Sequence, residues 1–106
     1  MRLLFDQGTP APLRRYLSNH EVSTALELSW STLTNGELLD QAESAGFDVL
    51  VTTDQNLRYQ QNLSGRRISI IVICTTSWVR IEKHICAVTE ALDHVSPGSY
   101  AEVRIP

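Results

Sequence analysis

Sulfur is scarce in this chain and badly spaced for chemistry: Cys74 and Cys86 are its 2 cysteines, and they lack the C-x-x-C spacing of zinc and redox sites. A disulfide framework and a sulfur-held metal are therefore not expected. Long apolar runs are also missing. The longest, Ile68 to Cys74, is interrupted by Ser69 and falls far short of the roughly 20 residues of a bilayer span. Met1-Arg2-Leu3-Leu4-Phe5-Asp6 meets a charge too early for a signal peptide, so the expected setting is the cytoplasm, without a membrane partner. No glycine-rich loop that would cradle a phosphate is present, and Ser, His and Asp form no readable triad. His20, His84 and His94 are scattered, and the only lysine is Lys83.

What remains is an acidic chain of 106 residues with net charge −3, a balance that argues against coating DNA. A second independent core would leave each half too small to stabilise itself, so residues 1–106 are read as a single domain. The charge is unevenly placed. Between Arg15 and Arg58 there is no cation, only Glu21, Glu27, Glu37, Asp40, Glu43, Asp48 and Asp54; from Arg58 to Lys83 the balance reverses. An acidic half joined to a basic stretch suits a carboxylate-bound cation acting on a phosphate, although charge runs are commonly just solvated.

Hydrophobic patterning predicts strands alternating with helices. Arg2 to Phe5 reads as a strand, and Thr9-Pro10 as the N-cap and first turn of a helix running to about Ser18 that buries Leu13, Tyr16 and Leu17. A second strand covers His20 to Ala25. A helix opening at Thr34 or Asn35 buries Leu38, Leu39, Ala42 and Ala45 and ends at Gly46. Phe47 to Thr52 and Ile68 to Cys74 read as buried central strands, with a short helix between Asn56 and Leu63. Trp78, Ile81, Ile85, Val88, Leu92 and Val95 recur at helical spacing, and Tyr100 to Ile105 alternates as an edge strand. Such an order implies an α/β domain of three α/β/α layers around a mainly parallel sheet of four to five strands, joined by right-handed crossovers.

In open parallel sheets ligands bind beyond the carboxyl ends of the strands. Asp6 follows the first strand, Asp54 follows the third, and Glu37 lies in the first turn of the helix leaving the second. Three carboxylates on one rim repel one another unless a hard cation such as Mg²⁺ or Mn²⁺ neutralises them. Metal-assisted hydrolysis of a phosphodiester is the chemistry this grouping suggests. Each acid also has a purely structural explanation: Thr34-Asn35-Gly36-Glu37 is a capping box, Asp54 is placed to cap the next helix, and Asp6 to make a turn before Gly8. Arg58 and Tyr59 follow Asp54 closely, a guanidinium and a ring suited to a phosphate and an unpaired base.

The segments RLLFDQGTP, NGELLDQA and FDVLVTTDQNLRYQQNL together resemble the small PIN-like proteins of the VapC-type toxin group, over roughly residues 2–80. The resemblance implies a PIN-like fold, Mg²⁺- or Mn²⁺-dependent endoribonuclease activity on RNA, and a cognate antitoxin protein; a homodimer is a further possible partner state. It would make Asp6 and Asp54 metal ligands and Glu37 an acidic residue of the second helix, the catalytic set being Asp6, Glu37 and Asp54. Relatives carry acids where this chain has Asn35 and Asn56, which would help position ligands and substrate instead. Fewer carboxylates mean weaker metal binding, so a catalytically weak PIN-like interaction module is the alternative. A phosphoacceptor receiver domain, with acids after its first and third strands, is a further one.

Overall fold

The computed structural model describes residues 1–106. Five strands form one sheet: β1 (Arg2–Phe5), β2 (Glu21–Thr24), β3 (Val49–Thr52), β4 (Ser69–Ile73) and β5 (Tyr100–Val103). Their order is β2-β1-β3-β4-β5, and every neighbouring pair is parallel. The helices are α1 (Asn35–Ser44), α2 (Leu57–Gln60), α3 (Trp78–Glu82) and α4 (Ile85–Asp93), with a 3₁₀ helix over Ala11–Tyr16.

The strand pleat sorts side chains alternately to the two faces, and both faces are apolar because both are covered. Leu3, Phe5, Val49, Val51, Ile71 and Ile73 meet Leu13 and Leu17 around the 3₁₀ helix, Ile81 of α3, and Val88 and Leu92 of α4. Leu4, Leu50, Ile70 and Val72 meet Leu38, Leu39 and Ala42 of α1 and Leu57 of α2 on the other face. The result is a three-layer α/β/α domain, as the sequence pattern implies. α1 starts in the predicted capping box and ends in a Schellman motif: Gly46, at φ 82°, donates to Glu43 O and Phe47 N–H donates to Ala42 O.

Several elements differ from expectation. The first helix is 3₁₀ rather than α, because Pro10 and Pro12 remove donors from its opening turn, and it begins after Pro10. Thr9 therefore caps nothing; its side chain is buried against the sheet instead. Tyr16 and Ala45 are exposed rather than buried. The long C-terminal stripe breaks at Lys83-His84 into α3 and α4. Ile81 then packs toward the 3₁₀ helix, while α4 lies along β4 and β5.

The crossovers are not uniform in hand. The step from β1 to β2 goes one way and carries the 3₁₀ helix on the first face; the steps to β3 and β4 go the other way and carry α1 and α2 on the second face. Those connections share one hand, as the steric preference for a single hand requires. The step from β4 to β5 continues in the same direction yet returns over the first face with α3 and α4, so its hand is opposite. Without α3 and α4, the short 3₁₀ helix alone would have to shield Val51, Ile71, Ile73 and Val103 from water. The rare crossover thus completes the first layer. It also leaves Tyr100 and Glu102, on the second face of β5, to be covered by side chains reaching from α2.

No helix is long and apolar enough to cross a membrane.

Candidate functional site

β1 and β3 are adjacent in the sheet although β2 comes between them in sequence, which makes their junction the point where the chain's connections diverge. Asp6 leaves β1 and Asp54 follows β3 at this switch point. The two acids are joined through Thr52, a residue only 1% exposed. Its hydroxyl donates to Asp6 Oδ2 and accepts the Asp54 backbone N–H at 3.1 Å. A β-branched threonine at the end of a buried strand can do this because its methyl packs while its hydroxyl emerges at the edge.

Asp6 is held from a second direction. Thr9 Oγ1 lies 2.8 Å from Asp6 Oδ1 and 2.9 Å from the Val51 carbonyl, so its one proton serves either acceptor. The Asp6 backbone N–H donates to the same carbonyl at 3.1 Å. Asp54 is likewise fixed: Oδ1 accepts the Asn56 N–H at 2.9 Å, and Oδ2 accepts from Asn35 Nδ2 at 3.2 Å. Asn35 Nδ2 also lies 3.4 Å from Gln60 Oε1. Asn35 thus sits in the acidic site, and Asn56 contributes to it through its backbone.

Glu37 is placed differently. Its Oε1 accepts the Thr34 N–H at 3.0 Å while the Glu37 N–H donates to Thr34 Oγ1 at 3.3 Å, which engages the carboxylate in the start of α1. No three Asp, Glu, His or Cys side chains come together in a group that could hold a metal, so the expected trio of Asp6, Glu37 and Asp54 is reduced here to the aspartate pair. The reason is local: an exposed Glu three residues into a helix finds an N–H donor within reach. What brings α1 to the site is Asn35, which it projects onto Asp54.

Arg58, the cation expected to meet a phosphate, is engaged within the fold. Arg58 Nη2 donates to Tyr59 Oη at 2.6 Å, and its guanidinium stands 4.8 Å from the Tyr59 ring centre and 5.7 Å from that of Tyr100. Nη1 is 3.7 Å from Glu102 Oε2. The guanidinium is therefore shared among β5 and its own neighbour, while the Tyr59 ring remains 72% exposed. Tyr100 donates to Glu102 Oε2 at 3.0 Å, and burial together with that carboxylate pushes its phenol up to about 12. Burial, and then the charge of Glu102, also push the Cys74 thiol up. Within the basic stretch Arg66 is also paired, with Asp40 at 2.9 Å and Glu43 at 2.6 Å.

Thr52 was recognisable in the sequence only as one of several threonines at this edge. Nothing local distinguishes it from Thr53, because the parity of β3 and its register with β1 decide which hydroxyl meets Asp6. The Thr9 contact escapes sequence reading for the opposite reason, since Thr before Pro has a more familiar use as a helix cap. Comparison of the chain with protein-family models, with curated proteins and with solved structures returns no match.

Proposed function

We propose that this protein is a metal-dependent endoribonuclease of PIN-like type, with Asp6 and Asp54 as the acid pair that holds Mg²⁺ or Mn²⁺. The observation that supports it most is the Thr52 hydroxyl, which bonds the Asp6 carboxylate and the Asp54 backbone across adjacent strands at the switch point. Mg²⁺ sites commonly use one or two protein carboxylates, completing their shell with water and substrate phosphate, so a pair is sufficient. The donor set fits a hard cation: each carboxylate oxygen here is offered at most one hydrogen bond and so keeps a lone pair, and Asn35 Oδ1 accepts none. When bound, such a cation offsets phosphate charge and lowers the pKa of water.

The chain's own residues divide the remaining work. Thr9 and Thr52 orient Asp6, Asn35 orients Asp54, and Glu37 secures the helix start that carries Asn35. Exposed Tyr59, braced by Arg58, offers a face on which an unpaired base stacks. The resemblance of the RLLFDQGTP and FDVLVTTDQNLRYQQNL segments extends the proposal to the toxin half of a pair neutralised by an antitoxin protein.

The test is Mn²⁺ binding by calorimetry alongside cleavage of single-stranded RNA by the purified chain. Saturable binding weakened by Asp54→Asn, with cleavage abolished by chelator and by Asp6→Asn, is expected. Absence of cleavage with Mn²⁺ bound would favour a PIN-like interaction module instead. One observation favours another reading: the order β2-β1-β3-β4-β5 is also that of doubly wound phosphoacceptor domains. Against it, such domains resemble one another in paired acids after the first strand and a lysine after the fifth, whereas Asp6 is followed by Gln7 and the cation after β5 is Arg104, 82% exposed and turned to Glu102. A base-labile phosphoryl group on Asp54 after exposure to a small phosphodonor would establish that reading.

A further inference from the structure

The two edges of the sheet are finished differently. In β2 the Glu21 and Ala25 N–H groups donate to Met1 O and Phe5 O, so Val22 and Thr24, of opposite parity, turn their backbone polar groups away from β1. Side chains close them off there. Arg14 Nη2 donates to the Val22 carbonyl at 2.6 Å, Glu27 Oε1 accepts the Thr24 N–H at 2.9 Å, and the two side chains pair at 2.9 Å. No strand can add to that edge without breaking the ion pair.

At β5 the edge is open. Ile70 N–H donates to Ser99 O and Cys74 N–H to Val103 O, so Ser99, Ala101 and Val103 face β4. Glu102 and Arg104 therefore present their N–H and carbonyl groups outward, where neither backbone nor side chain meets them. On the first face this edge borders a groove of about 320 Å³, lined by Ala87, Glu90, Ala91 and His94 together with Val103 and Arg104.

The order of side chains along the edge selects its occupant. A twofold axis pairs β5 with itself in antiparallel fashion. Centred on Glu102 or Arg104, it sets like charges opposite each other; centred on Ala101, it sets Arg104 against Gly98 in the turn before the strand. Centred on Val103, it sets Glu102 against Arg104 of the second copy and Arg104 against Glu102 of that copy, each pair exchanging both N–H···O bonds. Val103 then meets Val103, and Ala101 meets Ile105, on the first face. Glu102 is already ordered for this contact. Tyr100 Oη and Arg58 Nη1 hold its Oε2 at 3.0 and 3.7 Å, while Oε1 has only the exposed Arg104 at 3.5 Å.

We propose that β5 pairs with β5 of a second copy of this chain, centred on Val103, so that one sheet runs through both. Antiparallel pairing turns the two Asp6–Asp54 edges in opposite directions, and the proposal holds whether or not those acids bind a metal.

Sedimentation equilibrium of the purified chain over about 1–500 µM measures the association. A monomer–dimer equilibrium is expected, with the Glu102 and Arg104 amides becoming protected from hydrogen exchange as the dimer forms. Arg104→Glu alters a side chain that is 82% exposed, so the fold is retained, and it opposes two acids; association should weaken about tenfold or more. Glu102→Arg should do the same, and mixing the two variants should restore association, because every cross-chain pair is then again of opposite sign. Should Glu102→Arg not fold for want of its Arg58 contact, amide exchange in the unaltered chain and in Arg104→Glu decides. A chain monomeric at every concentration would leave the edge to a strand of another protein and overturn the proposal. So would a dimer indifferent to Arg104→Glu, or folded variants that associate no better mixed than apart.

Discussion

Replacing Thr52 by valine deletes a hydroxyl while keeping the β-branched shape that fills the end of β3. The change removes the donor to Asp6 Oδ2 and leaves the Asp54 N–H without its acceptor. A hydrogen bond to a charged group contributes about 1.5–3 kcal/mol, and an orphaned donor costs about 1 kcal/mol more where water cannot reach it. Thr52 is 1% exposed, while Asp54 is half-buried and its N–H is able to recover a water partner, so the orphan cost drops out and the expected loss is the hydrogen bond to Asp6 alone, about 2 kcal/mol. With an unfolding entropy of about 2.1 cal/mol/K per residue, 106 residues convert 2 kcal/mol into a Tm lower by about 9 °C. Thr52→Ser keeps the hydroxyl and loses one methyl, a change of about 1 kcal/mol and about 4 °C. Calorimetric melts of the three proteins give the comparison. If Thr52→Val melted no lower than Thr52→Ser, the hydroxyl bridge would contribute nothing measurable and the described geometry would be refuted. Mn²⁺ affinity provides a second readout, because a bridge that orients Asp6 should weaken binding when removed, whereas a purely structural hydroxyl should not.

Further outcomes follow from individual contacts. Glu37→Gln retains an acceptor for the Thr34 N–H and should change stability by less than about 0.5 kcal/mol, while Glu37→Ala should cost about 1 kcal/mol in a urea melt; Mn²⁺ affinity reduced by Glu37→Gln alone would show that its charge acts at the metal. Gly98→Ala should be strongly destabilising, by about 2 kcal/mol or more, since Gly98 has φ 74° and a new Cβ would lie 2.7 Å from the Arg66 carbonyl oxygen. Gly65→Ala, at φ 79° with nothing within 4 Å, is the control and should cost only about 1 kcal/mol. Tyr100 should ionise near pH 12 when its ring carbons are followed by NMR, and Glu102→Gln should bring that value down. Because the folded phenol titrates above the ordinary 10.0, its contribution to stability is complete below pH 10 and is lost as pH rises toward 12.

Local chemistry was the most legible layer. The capping box at Thr34 and the glycine ending α1 are written in neighbouring residues, and both are present. So are the apolar runs of β3 and β4, whose every residue is buried. The same local logic explains Glu37: a residue three positions beyond a helix cap has a nearby partner whatever the rest of the chain does, and here it takes it. Arg58 was legible as a cation beside the site but not as one occupied by β5. Its diversion depends on the final crossover passing over the first face, which exposes Tyr100 and Glu102 to α2.

By itself the amino-acid order determined the alternation of strands and helices, the parallel sheet those connections require, and the arrival of Asp6 and Asp54 at its carboxyl edge. These depend on periodicity, turn chemistry and connection length, all of which act over a few residues. Only the tertiary structure decided that Thr52 rather than Thr53 bridges the acids, that Thr9 serves Asp6 rather than a helix, and that α3 and α4 return over the first face. Those outcomes depend on strand register and on which surface remained to be covered, and both arise from pairings between residues distant in sequence.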